Sequence, residues 1–191
     1  VADSASRDGN FISFLFSKDY DLSNNKNVHL GFYSHYAQNQ DSSGSLEYSI
    51  DQGESWLPVV YMIDSDDIVN DDLGNIDAVA TFEQEHEDIA IGYHPDTFEE
   101  IGGFYGAYIA SDISDDLAPY ISGRINDDQS GSKRYETYRL PEADGQKNVR
   151  FRFAKSGTYS WYWGIDNFGL YSIAPSSMPE VVEASPAAGS Q

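Results

Sequence analysis

The sequence predicts an all-β domain in which two antiparallel sheets stack as a sandwich. Three observations lead to this prediction. Apolar and polar residues alternate with period two through much of the chain, the breaks between these stretches are short and polar, and helix-period patterns are scarce. Connections of this kind favour antiparallel hairpins over helical crossovers.

The clearest strands have one apolar face and one polar face. Val28, Leu30 and Phe32 alternate with more polar or smaller neighbours, and the same pattern recurs in residues 46–50 and 149–153. Further strands with less regular alternation are predicted at 11–16, 56–63, 76–82, 89–93, 104–109, 135–140 and 161–173. The total of about ten strands fits a sandwich.

The remaining segments divide the chain. A turn is predicted at residues 51–54, before Trp56, and segments 83–88 and 112–120 are either short helices or long loops. The sandwich domain is assigned to residues 1–173. Residues 174–191 are rich in Pro, Ala and Ser and are predicted to form a linker or disordered tail, which suggests a modular protein.

Composition narrows the classes of function. The 191-residue chain is long enough for one compact domain, and without cysteine it offers no disulfide, thiolate nucleophile or thiolate zinc site. Its 32 Asp and Glu residues outnumber 11 Lys and Arg residues, for a formal charge of −21. Such a charge disfavours nucleic acid and anionic lipid and is compatible with divalent cations. No apolar run has transmembrane length, and no signal peptide is expected within this chain.

Several short motifs resemble a known group of bacterial domains. Asp-Leu-Ser at 21–23 precedes the strand at 28–34, the hairpin that follows ends in a Ser-x-Asp-x-Gly-x-x-Trp turn at 49–56, and Ile-Asp-Asn-Phe stands at 165–168. This layout resembles the extracellular jelly-roll domains of the MAM, concanavalin A-like and choice-of-anchor type. The resemblance covers most of 21–171, except about 64–135. It implies a jelly-roll sandwich, structural calcium and an accessory or adhesive role, with no general catalytic constellation.

The same resemblance indicates a calcium site. In those domains an acidic residue after an aromatic strand often helps to hold calcium near the edge of the sandwich, and Asp166 has this position. Because calcium needs six to eight oxygen ligands, further ligands are expected from loops that contain Asp8, Asn10 and Asp41. The alternative is that Asp166 and Asn167 cap a bulge or turn through side-chain to backbone bonds.

Two other acidic segments are weaker candidates for a functional site, one for cation binding and one for catalysis. Residues 64–77 are rich in oxygen ligands but lack the spacing of an EF-hand, so a solvated loop is the simpler interpretation. Glu83, Glu85 and Glu87 would share one face of a strand and could serve as paired carboxylates in glycan hydrolysis. No apolar neighbours mark a buried concave strand there, which favours a surface charge run. The four histidines form no ligand pair of the kind that binds zinc or copper.

The aromatic residues supply the last candidates. Tyr159, Trp161 and Trp163 share parity with Ile165 and are expected in the core. Surface positions that could stack on sugar rings are predicted for a second group: Tyr33, Tyr36, Tyr105, Tyr108 and Tyr162.

The function predicted from these features is a non-catalytic accessory or adhesion module at the cell surface or outside the cell. It would bind polysaccharide, a cell-surface glycan or another surface component, with calcium as a structural ion. Two alternatives remain open. One is a structural subunit of a surface layer or filament that binds itself or other surface proteins, and the other is a glycan-active enzyme that uses Glu83, Glu85 and Glu87. Neither nucleic acid nor membrane insertion is expected.

Overall fold

The computed structural model describes residues 2–3, 10–37, 42–82, 92–93, 100–101, 114–124, 133–158 and 162–172. The described part is mostly β-structure. Its strands are β1 (Ala2–Asp3), β2 (Asn10–Phe16), β3 (Val28–Ala37), β4 (Ser42–Ser49), β5 (Leu57–Asp64), β6 (Gly92–Tyr93), β7 (Glu100–Ile101), β8 (Ile121–Arg124), β9 (Lys133–Arg139), β10 (Arg150–Thr158) and β11 (Tyr162–Ser172). Short 3₁₀ helices occupy Ser65–Asp67, Asp115–Tyr120 and Pro141–Ala143.

Two sheets form the sandwich, as the sequence predicts. The four-stranded sheet has the order β1-β11-β3-β9, and the five-stranded sheet has the order β2-β10-β4-β5-β8. Strands β6 and β7 form a separate pair. The prediction of wholly antiparallel sheets is wrong at one place, because β5 and β8 pair in parallel. A parallel pair needs a long connection, and residues 65–120 lie between these two strands.

The main core lies between the two sheets. Alternate residues of the central strands point inward, so the predicted period-two pattern is confirmed for β3, β4 and β10. Their buried side chains are Val28, Leu30, Phe32, Leu46, Tyr48, Phe151 and Phe153. Trp163 of β11 joins this core, where its ring packs edge-on against Phe153 at a centroid distance of 5.5 Å. These large aromatic contacts hold the four-stranded sheet firmly in place over its partner.

A second apolar cluster covers the outer face of the five-stranded sheet. Tyr61 and Ile63 of β5 pack there against Ala78, Phe82 and Leu117, which all come from the long connection. Glu47 and Ser49 also point to this side and are fully buried, although the alternation in residues 46–50 predicts a solvated polar face. The prediction fails because the sheet is covered on both faces. The four-stranded sheet therefore carries the more accessible outer face.

One predicted segment differs from the structure, and three others lie outside the residues that the structure describes. Residues 78–82 are helical, so the strand predicted at 76–82 is wrong. Asp77 begins this helix, since its side chain accepts a hydrogen bond from the backbone N–H of Ala80. The predicted strand at 104–109, the segment 83–88 and the tail at 174–191 lie outside the described residues. No helix in the described residues is long and apolar enough to cross a membrane.

Candidate functional site

The outer face of the four-stranded sheet is formed by residues that alternate with the core positions. On β3 these include Gly31, Tyr33 and His35, which lie opposite Thr137, Tyr135 and Lys133 of β9. On the other side of β3, the same residues lie opposite Gly169, Asp166 and Gly164 of β11. Three strands thus contribute side chains to one continuous surface.

Three tyrosines dominate this surface. Tyr33, Tyr135 and Tyr171 are each between 45% and 53% exposed. The rings of Tyr33 and Tyr135 meet edge to face, with centroids 5.0 Å apart. The hydroxyl of Tyr135 donates a hydrogen bond to the hydroxyl of Tyr171 at 3.3 Å. The three side chains therefore form one connected aromatic group, the tyrosine platform.

Glycines beneath the tyrosine platform let the rings lie close to the sheet. A Cβ atom on Gly31 would lie 2.2 Å from the hydroxyl oxygen of Tyr135 and 3.2 Å from Cε2 of Tyr171. A Cβ on Gly169 would lie 2.9 Å from the Tyr171 hydroxyl. These distances are shorter than van der Waals contact, so a larger residue would lift the rings from the backbone. Glycine in a strand interior often marks such a close approach.

An open depression lies beside the tyrosine platform and has a volume of about 610 Å³. Gly164 lies in it opposite His35, and Tyr33 and Tyr135 border it. The described residues that line it are Tyr33, Ser34, His35, Lys133, Arg134, Tyr135, Gly164, Ile165 and Asp166. Their side chains on the outer face combine aromatic rings with an imidazole, the ammonium group of Lys133 and the carboxylate of Asp166. This mixture suits a polar ligand that also has apolar faces.

His35 is held in a defined orientation at this site. Its Nε2 forms a hydrogen bond with the hydroxyl of Tyr162 at 3.1 Å, and the two rings meet at right angles. Burial, with a smaller contribution from the charge of Lys133, lowers the pKa of His35. Its imidazole is therefore neutral near pH 7 and can donate or accept a hydrogen bond.

The five tyrosines that the sequence predicts on a sugar-binding surface have different positions, and Tyr33 is the one that joins the tyrosine platform. Tyr36 is 2% exposed and its ring packs edge-on against Trp163, so its predicted surface position is wrong. The reason is parity, because Tyr36 shares the inward side of β3 with Phe32. Tyr162 lies on the outer face and is partly buried against His35. Tyr105 and Tyr108 lie outside the described residues.

Sequence reasoning missed two members of the tyrosine platform. Tyr135 and Tyr171 lie near opposite ends of the predicted strands 135–140 and 161–173, and nothing local places them together. Gly31 offered a signal, since a glycine inside a strand can mark close packing of another group. Tyr33 is confirmed as exposed.

The calcium hypothesis concerns Asp166, which also lines the depression. The carboxylate of Asp166 accepts a hydrogen bond from the backbone N–H of Asn167 at 2.8 Å. Asn167 has a φ of 52°, and the pairing register shifts between Asp166 and Gly169, as in a β-bulge. Asp166 thus caps a bulge, as the alternative interpretation has it. Calcium binding by Asp166 stays a prediction.

The other predicted calcium ligands are not brought to Asp166 in the described residues. Asp8 and Asp41 lie outside these residues, and Asn10 is described only as part of the backbone of β2. No group of three or more His, Asp or Glu side chains suited to a metal ion occurs within the part of the chain that the structure describes.

The two weaker acidic candidates can be placed only in part. Within residues 64–77, the carboxylates of Asp64, Asp71 and Asp77 accept hydrogen bonds from nearby backbone N–H groups and so stabilise turns and a helix start. Glu83, Glu85 and Glu87 lie outside the described residues.

Comparison with known proteins adds no relative. The chain matches no protein-family model, and no curated protein matches it. The resemblance to extracellular jelly-roll domains therefore remains a hypothesis based on its short motifs.

Proposed function

We propose that this protein is a non-catalytic, extracellular carbohydrate-binding domain and that it binds sugar on the outer face of its four-stranded sheet. The tyrosine platform is the single observation that carries the proposal. In this proposal the sandwich is a jelly roll of the concanavalin A-like type, with a structural calcium ion near Asp166, and the domain serves as an accessory or adhesion module.

The platform and the depression complement each other as parts of a sugar site. Sugar rings have C–H faces that pack on aromatic rings, and hydroxyl groups at their edges that form hydrogen bonds. Tyr33 and Tyr135 present exposed rings beside the depression, and Lys133, His35 and Asp166 place polar groups within it. A sugar that stacks on the rings can therefore direct its hydroxyls to these side chains.

Binding is a simpler chemistry for this site than hydrolysis. Glycoside hydrolysis generally uses two carboxyl groups that flank the bond to be broken. Among the described residues that line the depression, Asp166 is the one with a carboxylate. The depression is also open, which suits contact with the side of a longer glycan chain.

A glycan array with matched variants tests the proposal. The native domain is expected to bind a defined subset of glycans. The double variant Tyr33→Ala with Tyr135→Ala is expected to lose at least about tenfold in affinity, because each stacking contact is worth about 1 kcal/mol. Tyr120→Ala is the matched control, since Tyr120 is also exposed but lies in the 3₁₀ helix Asp115–Tyr120. Retained binding in the double variant would refute this location for the site.

A second candidate function, assembly with other copies, is favoured by the edge strand β2. Leu15 is 59% exposed and Phe16 is 53% exposed on this strand, which lies at the edge of the five-stranded sheet. Leu15 also borders a cleft of about 250 Å³ between the sheets. Exposed apolar residues on an edge strand are typical of association surfaces. Sedimentation of the native domain and of Leu15→Lys tests this: a subunit would self-associate, and the variant would stay monomeric.

A further inference from the structure

The depression offers a cation in a chain that is strongly acidic overall. Acidic residues outnumber basic residues by 32 to 11 in the whole sequence. Among the described residues that line the depression, the side chains of Lys133 and Asp166 carry opposite charges on the outer face, whereas Arg134 shares the inner side of β9 with Glu136. Charges elsewhere on the surface are screened beyond a Debye length of about 8–10 Å at physiological salt, so the local charges decide which ligand is attracted.

Lys133 is the cation best placed to meet a ligand. It begins β9, lies directly opposite His35 and is exposed. Its ammonium group forms no ion pair with any residue that the structure describes. Since Lys133 lies next to Tyr135 on the outer face, a sugar on the tyrosine platform would bring its substituents within reach of this group.

Arg134 belongs to a cluster with more positive than negative charge. Oε1 of Glu136 accepts hydrogen bonds from Nε of Arg134 at 2.8 Å and from Nη2 of Arg124 at 2.9 Å. Two guanidinium groups therefore share one carboxylate. Among the described residues, Nη1 of Arg124 has no hydrogen-bond partner although it is buried. Arg134 is 45% exposed, but its guanidinium lies beside Glu136 and the Ser122 hydroxyl, on the side of β9 that faces the other sheet, so Lys133 is the cation that a ligand in the depression meets.

We propose that the sugar bound on the outer face is acidic, and that the carboxylate of a uronic acid unit pairs with Lys133 while the ring stacks on the tyrosine platform. This inference rests on the proposed function. Stacking on tyrosine discriminates little between neutral and acidic sugars, because both have apolar ring faces. A charge-assisted hydrogen bond from Lys133 supplies the discrimination.

The test compares acidic polymers with their neutral counterparts. Polygalacturonate and alginate are titrated against the domain, alongside the same polymers after chemical reduction of their carboxyl groups. The native domain is expected to bind the acidic forms up to about fivefold more tightly, as one exposed ion pair allows. Raising the salt from 50 to 500 mM is expected to weaken binding of the acidic forms and to leave the reduced forms unchanged.

Variants assign the effect to one side chain. Lys133→Gln is expected to remove the preference for the acidic forms, so that the acidic and the reduced forms bind with equal affinity. Lys147→Gln is the matched control, because Lys147 is exposed beside Asp21 and away from the depression. Dextran sulfate serves as a second anion, and binding of this polymer as tight as that of the uronates would overturn the assignment to carboxylates.

Two failures can be told apart. Equal binding of the acidic and reduced polymers, with Tyr33 and Tyr135 still required, would overturn the acidic ligand and leave the carbohydrate-binding function standing. Absence of binding to every polymer and to the whole glycan array would overturn both proposals together.

Discussion

The hydroxyl of Tyr135 donates a hydrogen bond to the hydroxyl of Tyr171 at 3.3 Å, across the intervening strand β3. This contact raises the pKa of Tyr135, because the hydrogen bond with Tyr171 favours the protonated phenol. The phenol therefore stays uncharged at physiological pH, and its ring can pack against an apolar sugar face. The pair links the two outer strands of the tyrosine platform over Gly31.

The glycine beneath the rings gives the first prediction. Gly31→Ala places a Cβ where the Tyr135 hydroxyl now lies, so the ring has to lift away from the sheet. The fold should persist, because alanine is tolerated in a strand at least as well as glycine. We expect glycan affinity, measured by calorimetry, to fall by about five- to tenfold.

A double-variant cycle shows whether Gly31 acts through Tyr135. In a Tyr135→Ala background, Gly31→Ala should have little further effect on affinity, because the displaced ring is already absent. Additive losses would contradict the proposed mechanism.

The second prediction concerns a lysine inside the sandwich. Burial lowers the pKa of Lys155 to about 7, although the ring of Tyr36, 4.2 Å from Nζ, favours the charged form. Between about pH 7 and pH 10 the unfolded chain then binds more protons at this lysine than the folded domain does. The free energy of unfolding should therefore rise with pH in this window, by at most about 1.4 kcal/mol per pH unit.

Urea denaturation at pH 7, 8 and 9.5 measures this slope. Lys155→Met should flatten it and raise stability most at the lowest pH of the three. Lys18→Met, at an exposed position, should leave the slope of stability against pH unchanged. A native profile that is level from pH 7 to 9.5 would show that the lysine keeps its charge when buried. Measurements stay below pH 10 because of two other buried groups. Burial raises the pKa of Tyr48 and Tyr138, so above pH 10 these tyrosines ionise in the unfolded chain before they do in the folded domain. The free energy of unfolding then falls with pH, which opposes the effect of Lys155.

The third prediction concerns a buried ion pair on the five-stranded sheet. Glu47 is fully buried, and its carboxylate accepts hydrogen bonds from Arg152 and from the hydroxyl of Tyr61. Glu47→Ala leaves the largely buried Arg152 without this partner and should cost about 3–5 kcal/mol in denaturant unfolding. The double variant Glu47→Leu with Arg152→Leu should cost less.

An exposed ion pair that involves Arg150, on the same strand as Arg152, is the control for the pair of Glu47 with Arg152. Arg150 forms an ion pair with Asp19 at 2.7 Å, with both side chains about a third or more exposed. Arg150→Ala should cost no more than about 1 kcal/mol. Similar losses for Arg150→Ala and Glu47→Ala would mean that burial does not set the strength of these pairs.

The fourth prediction tests the calcium hypothesis. If calcium binds near Asp166, removal of the ion with EDTA should lower the melting temperature, because binding to the folded state adds to stability. Asp166→Ala should abolish that response. A melting temperature that is unchanged by EDTA, at every calcium concentration, would count against the ion and leave Asp166 as the cap of its bulge.

The strands were largely predictable because alternation is a local signal. Val28, Leu30 and Phe32 point inward as their parity predicts, and the same parity applied to Tyr36 would have placed it in the core. Alternation reports only which side chains share a face. It cannot show that a second layer covers that face, which is why the burial of Glu47 was missed.

The site itself depends on contacts that are distant in sequence. Gly31, Tyr135 and Tyr171 meet because β3 lies between β9 and β11, and no local pattern specifies that order. Of the five tyrosines predicted to stack on sugar, Tyr33 and Tyr162 lie at the site in the described residues, Tyr162 through its contact with His35.

The helix at 78–82 is not predictable from periodicity, because a short apolar run has no clear period. The side chain of Asp77, which caps this helix, is the local signal that distinguishes it from a strand.

The position of a bound glycan is the most direct test of the central claim. Backbone amide resonances of the labelled domain are followed by NMR during titration with the tightest ligand from the glycan array. The account predicts that the largest shifts occur on β3, β9 and β11, around Gly31, Tyr33, Tyr135 and Asp166. Shifts confined to β2, β10, β4 and β5, with this face unchanged, would contradict it.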